Sequence, residues 1–399
     1  MLLGCLLVAC SASDSVANQG QANDRIAVAT AGGEIYLIDP DGSNPLPLAG
    51  GDLPTGLQPV WSLDGRSIAW SEVGSTSNGI VTANPDGSNQ RRSTTLFSGY
   101  FGYWDPTSTR LGFLGNAPPG TGLVIDDGSS ATLDVVDSDT FYYFSWSPDG
   151  TRWVVHSGSG LHLMDLEGTR IEIDLDDAFF RAPVWTPDGH ILLNIAMQGR
   201  NVIVRFDPAT SEIEELLEVG LSANFVLDPT GNLLAVETVE EAGQGLDLGN
   251  DVTAISQPVS QPTGPSTRVL VYDLRSGSVA QAFDGPIGSA WWSPDGTTLA
   301  LLVTEDSADP QFAQWLVWSR DRTFRTDRFV PTRVYATTYA PFYDQFAQSV
   351  SPWAPDSSRF VYAGTDVEGL TGLFVQDAES DTPATWIAAD AAVAFWSPT

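Results

Sequence analysis

One pentapeptide recurs along this 399-residue chain, and it restricts the fold more than any other feature of the sequence. Clean copies are Trp146-Ser-Pro-Asp-Gly150, Trp185-Thr-Pro-Asp-Gly189 and Trp292-Ser-Pro-Asp-Gly296. Degenerate copies are Trp61-Ser-Leu-Asp-Gly65, Trp104-Asp-Pro-Thr-Ser108, Leu227-Asp-Pro-Thr-Gly231 and Trp353-Ala-Pro-Asp-Ser357, and an eighth begins at Trp396-Ser-Pro398. Their first residues are 43, 42, 39, 42, 65, 61 and 43 positions apart. A fixed period of roughly 40–45 residues marks a repeat architecture in which each unit is one supersecondary element.

The pentapeptide is a turn. Proline presets φ at the first corner, aspartate caps the turn through its side chain, and glycine takes the left-handed position. Apolar runs flank it: Ser67-Ile-Ala-Trp70, Arg152-Trp-Val-Val-His156 and Thr298-Leu-Ala-Leu-Leu302 each follow a copy. Each copy is therefore the hairpin between two buried strands. A third strand follows and ends in an acidic turn, as in Glu34-Ile-Tyr-Leu-Ile-Asp39 before Pro40-Asp41-Gly42. A weaker fourth strand completes the unit, and four strands per unit is a propeller blade.

These strings resemble the TolB-type family of WD-repeat-like propellers over nearly all of Arg25 to Thr399. The resemblance implies an all-β, eight-bladed β-propeller. One blade would be split, with Arg25–Thr30, Glu34–Asp39 and Asn44–Leu48 giving its last three strands and Ala391–Ser397 its inner strand, so that the two chain ends close the ring. It implies little about activity, because one fold hosts many functions.

Residues 1–9 are apolar, and Leu7-Val8-Ala9-Cys10 resembles the lipobox of bacterial lipoproteins. The resemblance implies acylation of Cys10, with residues 10–24 as a small, polar tether and the protein exported to the periplasm or cell exterior. The expected basic n-region is missing and the run is short for a signal peptide. Cys5 and Cys10 are the only cysteines, so the folded part carries no disulfide.

Fifty acidic residues stand against 18 basic ones, all arginine, for a net charge of −32. Such a chain repels nucleic acid and anionic membrane surfaces, and without lysine it cannot form a Schiff base. His156, His162 and His190 show no metal-binding spacing; no metal, cofactor or catalytic residue is expected.

Two long intervals hold insertions, near 240–267 and 329–350. The first is rich in Gly, Ser, Pro and Gln and reads as a solvated loop. The second is aromatic, with a short helix expected around Pro341–Ser349. Strand 2–3 and strand 4–1 connections emerge at one end of a propeller, so both insertions decorate that end. Tyr339, Phe342, Tyr343, Asp344 and Gln345 are the expected binding residues, roofing the channel mouth, with coverage of exposed blade edges as the alternative. Arg320, Arg322, Arg325, Arg328 and Arg333 read as a solvated face or an anion site. The expected function is a monomeric binding or scaffold protein of the cell envelope, whose partner is another envelope protein or a small or polymeric extracellular ligand. The alternative is a hydrolase or lyase with its site at the central channel mouth.

Overall fold

A computed structural model describes residues 24–399 apart from 51–54, 74–77, 96–97, 118–119, 134, 138, 177–180, 241–265 and 305–310. The Gly/Ser/Pro/Gln-rich insertion, and the tether up to residue 23, lie outside the described residues. No described helix is long and apolar enough to cross a membrane.

Among the described residues the strands form six four-stranded antiparallel sheets and one sheet of eight strands. In five of the six the strands lie in chain order. The sixth joins the two ends of the chain. Ile26–Ala29 pairs on one side with Ile35–Ile38 and on the other with Val393–Trp396, in the register Ile26 to Trp396 and Ala29 to Val393. This serial array of four-stranded sheets is a β-propeller. Near-continuous apolar strands such as Ile191–Met197 and Leu299–Thr304 are buried on both faces, because each sheet is sandwiched between its neighbours.

The motif copies do what their chemistry requires. Ser62, Ser147, Thr186 and Ser293 each donate a side-chain hydroxyl to the aspartate two residues on. In the two Asp-Pro-Thr copies the groups trade places: Thr107 and Thr230 donate to Asp105 and Asp228. The carboxylate now sits at the second position, buried, and also receives backbone N–H groups from the start of the next strand. Glycine closes the turn at positive φ in five copies, and Ser108 and Ser357 adopt the same conformation at +58° and +62°. At Gly296 (φ +70°) a Cβ would also fall 2.3 Å from an Asp228 carboxylate oxygen, so neighbouring turns are in close contact.

The recurring tryptophan ties each unit to the one before it. Trp104 Nε1 donates to Val60 O, Trp146 to Tyr103 O, Trp292 to Val226 O and Trp353 to Trp291 O, at 2.8–3.3 Å. Each acceptor is the residue just before the motif of the preceding unit. Trp61 follows the same rule across the chain ends, donating to Phe395 O at 3.4 Å. Trp185 Nε1 finds no partner among the described residues, and Leu227 has no such group to offer.

The eight-stranded sheet departs from expectation. Phe329–Pro331, expected as the start of an insertion, is a short strand that pairs with Ala313 on one side and with Gly364–Asp366 on the other. Its Phe329 ring stacks 6.4 Å from Trp315 and lies 4.5 Å from Tyr362, which in turn stacks on Phe374 at 5.5 Å. An aromatic ladder thus runs across the middle of this eight-stranded sheet.

Candidate functional site

The aromatic insertion does not spread over a surface. Its helical part consists of a π-helical turn at Tyr335–Tyr339, a 3₁₀ turn at Ala340–Phe342 and an α-helical turn at Tyr343–Phe346. Its contacts run to inner strands all round the molecule. The Phe346 ring meets Phe101 at 4.6 Å and the Tyr339 ring meets Phe395 at 5.1 Å. Tyr335 Oη lies 2.6 Å from Ser289 Oγ and accepts from Trp291 Nε1 at 2.9 Å. Asp344 accepts from the Ala182 N–H at 3.4 Å, and Tyr343 donates to Glu237 at 3.1 Å. A segment that reaches Phe101, Ser289 and Phe395 on inner strands, Ala182 just before another and Glu237 on a second strand lies between the sheets, as a plug.

The plug is polar where the strands need it to be. An inner strand such as Phe141–Trp146 has a sheet neighbour on one side only, so backbone groups on its other edge require partners. Gln345 supplies both at once, donating to Phe144 O at 3.0 Å and accepting from Phe144 N at 3.3 Å. It thereby stands in for the missing strand. Burial pushes the Asp344 carboxyl up, against the pull of the Arg181 guanidinium. Burial raises the Tyr343 hydroxyl well above its ordinary range, helped by the charge of Glu237.

Four of the five expected binding residues are therefore committed to the interior: Tyr339, Tyr343, Asp344 and Gln345 are each 3% exposed or less. Only Phe342 presents a ring to solvent. Of the arginine cluster, Arg320 pairs with Asp273 at 2.7 Å. Arg322 and Arg325 lie over the rings of Phe324 and Phe283. His156 and His162 contact backbone carbonyls of Arg181 and Gly160. His190 sits 3.2 Å from Asp188 within its turn.

The open cavity is elsewhere. It measures about 590 Å³, and every motif copy contributes to its wall. Trp61, Trp146, Trp185, Trp292, Trp353 and Trp396 line it, with Leu227 from a seventh copy and Tyr103, the residue just before the copy at Trp104. The mouth is a collar of third-position side chains: Pro106, Pro148, Pro187, Pro229 and Pro398 are exposed, Pro294 is half-buried, and Leu63 takes the place of proline. Ala347–Ser351 and Asp344, the far end of the plug, form the floor. In an antiparallel sheet the turns between first and second strands lie at the end opposite the strand 2–3 and 4–1 connections. The insertion thus starts from one end of the molecule, and the cavity opens at the other. Asp24 Oδ1 accepts from Trp396 Nε1 at 2.5 Å, which puts the beginning of the described chain at this cavity.

Sequence reasoning named Asp344 of the floor but missed the collar, because it assigned proline to turn geometry alone. The available signal was the shared third position, since side chains at equivalent points of a cyclic repeat converge on one axis. The wall is apolar with few polar groups. Both carboxylates already have partners: Asp228 is held by Thr230 N, Asn232 N and Leu233 N, and Asp344 by Ala182 N beside Arg181.

No protein-family model and no curated protein matches the chain. Solved structures do. A crystal structure of the eukaryotic initiation factor is similar over 94% of this chain and 98% of its own, with TM-score 0.55 and 10% identity. Oligogalacturonate lyase in complex with manganese matches over 90% of this chain and 98% of its own, with TM-score 0.52 and 13% identity. TolB from Acinetobacter baumannii covers 81% of this chain and 79% of its own, with TM-score 0.39 and 16% identity. At these identities the likeness extends to the fold alone, a β-propeller.

Proposed function

We propose that the chain is an exported, TolB-like, eight-bladed propeller, lipid-anchored through Cys10, that acts as a binding protein of the cell envelope. The eight-bladed reading divides the eight-stranded sheet into two units. The observation that carries the binding function is the convergence of all eight motif copies on one apolar cavity of about 590 Å³. A cavity of that size is in the range of small-ligand sites, and a rigid proline collar lowers the entropy lost when a ligand seats. The pairing of Val393–Trp396 with Ile26–Ala29 and the Trp61 bond to Phe395 O support ring closure. The string Leu7-Val8-Ala9-Cys10 supports the anchor.

The test is to fill the cavity. Ser349→Trp places an indole on a half-buried floor residue that lines it. Ligand or partner captured from envelope extracts by the wild-type protein should be lost from this variant while its melting curve is retained. Capture of the same set by both proteins would overturn the assignment of the site.

A further inference from the structure

The chemistry of the cavity wall is one-sided. None of its lining residues is basic, whereas Asp228 and Asp344 are both among them. At the floor, Gln348 donates through Nε2 to Pro183 O at 3.3 Å, but its buried Oε1 has no donor among the described residues. Just beyond the collar, the fourth motif positions add Asp64, Asp149, Asp188 and Asp295, all exposed. The chain as a whole carries −32. The walls also present indole rings, whose faces attract cations.

Resting on the reading of this cavity as the binding site, we propose that its ligand is an organic cation. An apolar body fills the tryptophan and proline funnel, and a protonated amine or guanidinium on it donates to Gln348 Oε1 at the floor. Shape admits any apolar body of suitable size. The acidic surround selects the positive one, because an anion would meet uncompensated repulsion, and a charged donor bonds Gln348 Oε1 more strongly than a neutral one. The same chemistry is found in a free amphipathic amine and in an arginine on an apolar segment of a partner.

Octylamine, octanol and octanoate share a chain and differ in charge, so they separate the two components. Titrated into the full-length protein and followed by tryptophan fluorescence and calorimetry, octylamine should bind about tenfold tighter than octanol, and octanoate weakest. The preference should shrink as salt rises. Pro229→Arg, at the exposed collar, should erase the preference. Gln348→Leu should weaken octylamine about tenfold and octanol by less, because the bond it loses is not charge-assisted. A short apolar peptide amide carrying one arginine identifies the source: tighter binding than octylamine assigns a partner segment, weaker binding a free amine. Equal binding of all three C8 probes would overturn the charge selection while leaving the cavity as a binding site. Binding of none of the probes would overturn the proposed cation. If Ser349→Trp also captured the same set as wild type, the binding-site reading would fall with it.

Discussion

Replacing Gln345 with leucine should destabilise the protein by about 2–4 kcal/mol. The side chain is 1% exposed and makes two hydrogen bonds to one residue, to Phe144 O at 3.0 Å and from Phe144 N at 3.3 Å. Leucine nearly preserves the volume, so the cavity contribution is small. What changes is that an N–H and a C=O on the free edge of an inner strand lose their partners where the plug is packed. An unpaired buried polar group costs about 1–3 kcal/mol, and two are created at once. Urea unfolding followed by tryptophan fluorescence reads this as a lower midpoint at unchanged m-value. A loss below about 0.5 kcal/mol, within the range of ordinary surface changes, would mean that water reaches the strand edge and that the insertion is not a dry plug.

Trp292→Phe removes a hydrogen bond to Val226 O, whereas Trp185→Phe removes an indole whose Nε1 has no partner among the described residues. The first should therefore be more destabilising than the second by about 1 kcal/mol, measured by the same unfolding assay; equal losses would show that the inter-unit bond contributes nothing. The raised pKa of buried Asp344 makes its contribution full below the ordinary carboxylate pKa and lost as pH rises through the raised value. Asp344→Asn should thus gain on wild type as pH goes from about 4 to about 8, and a constant difference across that range would refute the shift. Deleting residues 391–399 removes the four pairings of Val393–Trp396 and the acceptor of Trp61. The truncated chain should lose cooperative unfolding, and an unchanged denaturation midpoint would show that the C-terminal strand is dispensable.

The repeat was legible because its chemistry is local. A Trp-Ser-Pro-Asp-Gly string dictates a capped turn wherever it occurs, and even the Asp-Pro-Thr copies keep the same hydroxyl-to-carboxylate bond with the partners exchanged. The terminal pairing was also readable, since the unmatched strands at the two chain ends complete one four-stranded unit. The path of the aromatic insertion was not. Tyr339, Phe342, Tyr343 and Phe346 give the same aromatic density whether they roof a mouth or fill a channel, and composition does not distinguish the two. The discriminating pair was Asp344 and Gln345. Polar side chains amid aromatics read as ligand contacts, but here they answer backbone groups of Phe144 and Ala182 that are distant in sequence. Phe329–Pro331 escaped notice for a related reason: three residues carry no period, and their strand character comes from Trp315 and Tyr362 on either side.

The bond between Asp24 and Trp396 fixes where the polypeptide leaves the domain, and with Cys10 acylated as proposed it would fix which end of the domain is tethered. Thirteen residues separate Cys10 from Asp24, a reach of at most roughly 50 Å when fully drawn out. The point of departure lies at the collar, so an anchor on Cys10 would hold the collar end, not the plugged end, within reach of the lipid. A ligand of the funnel would then reach it from the membrane side, and the length of the spacer would set how wide that approach is. Doubling the spacer would widen the approach without altering a single side chain of the funnel.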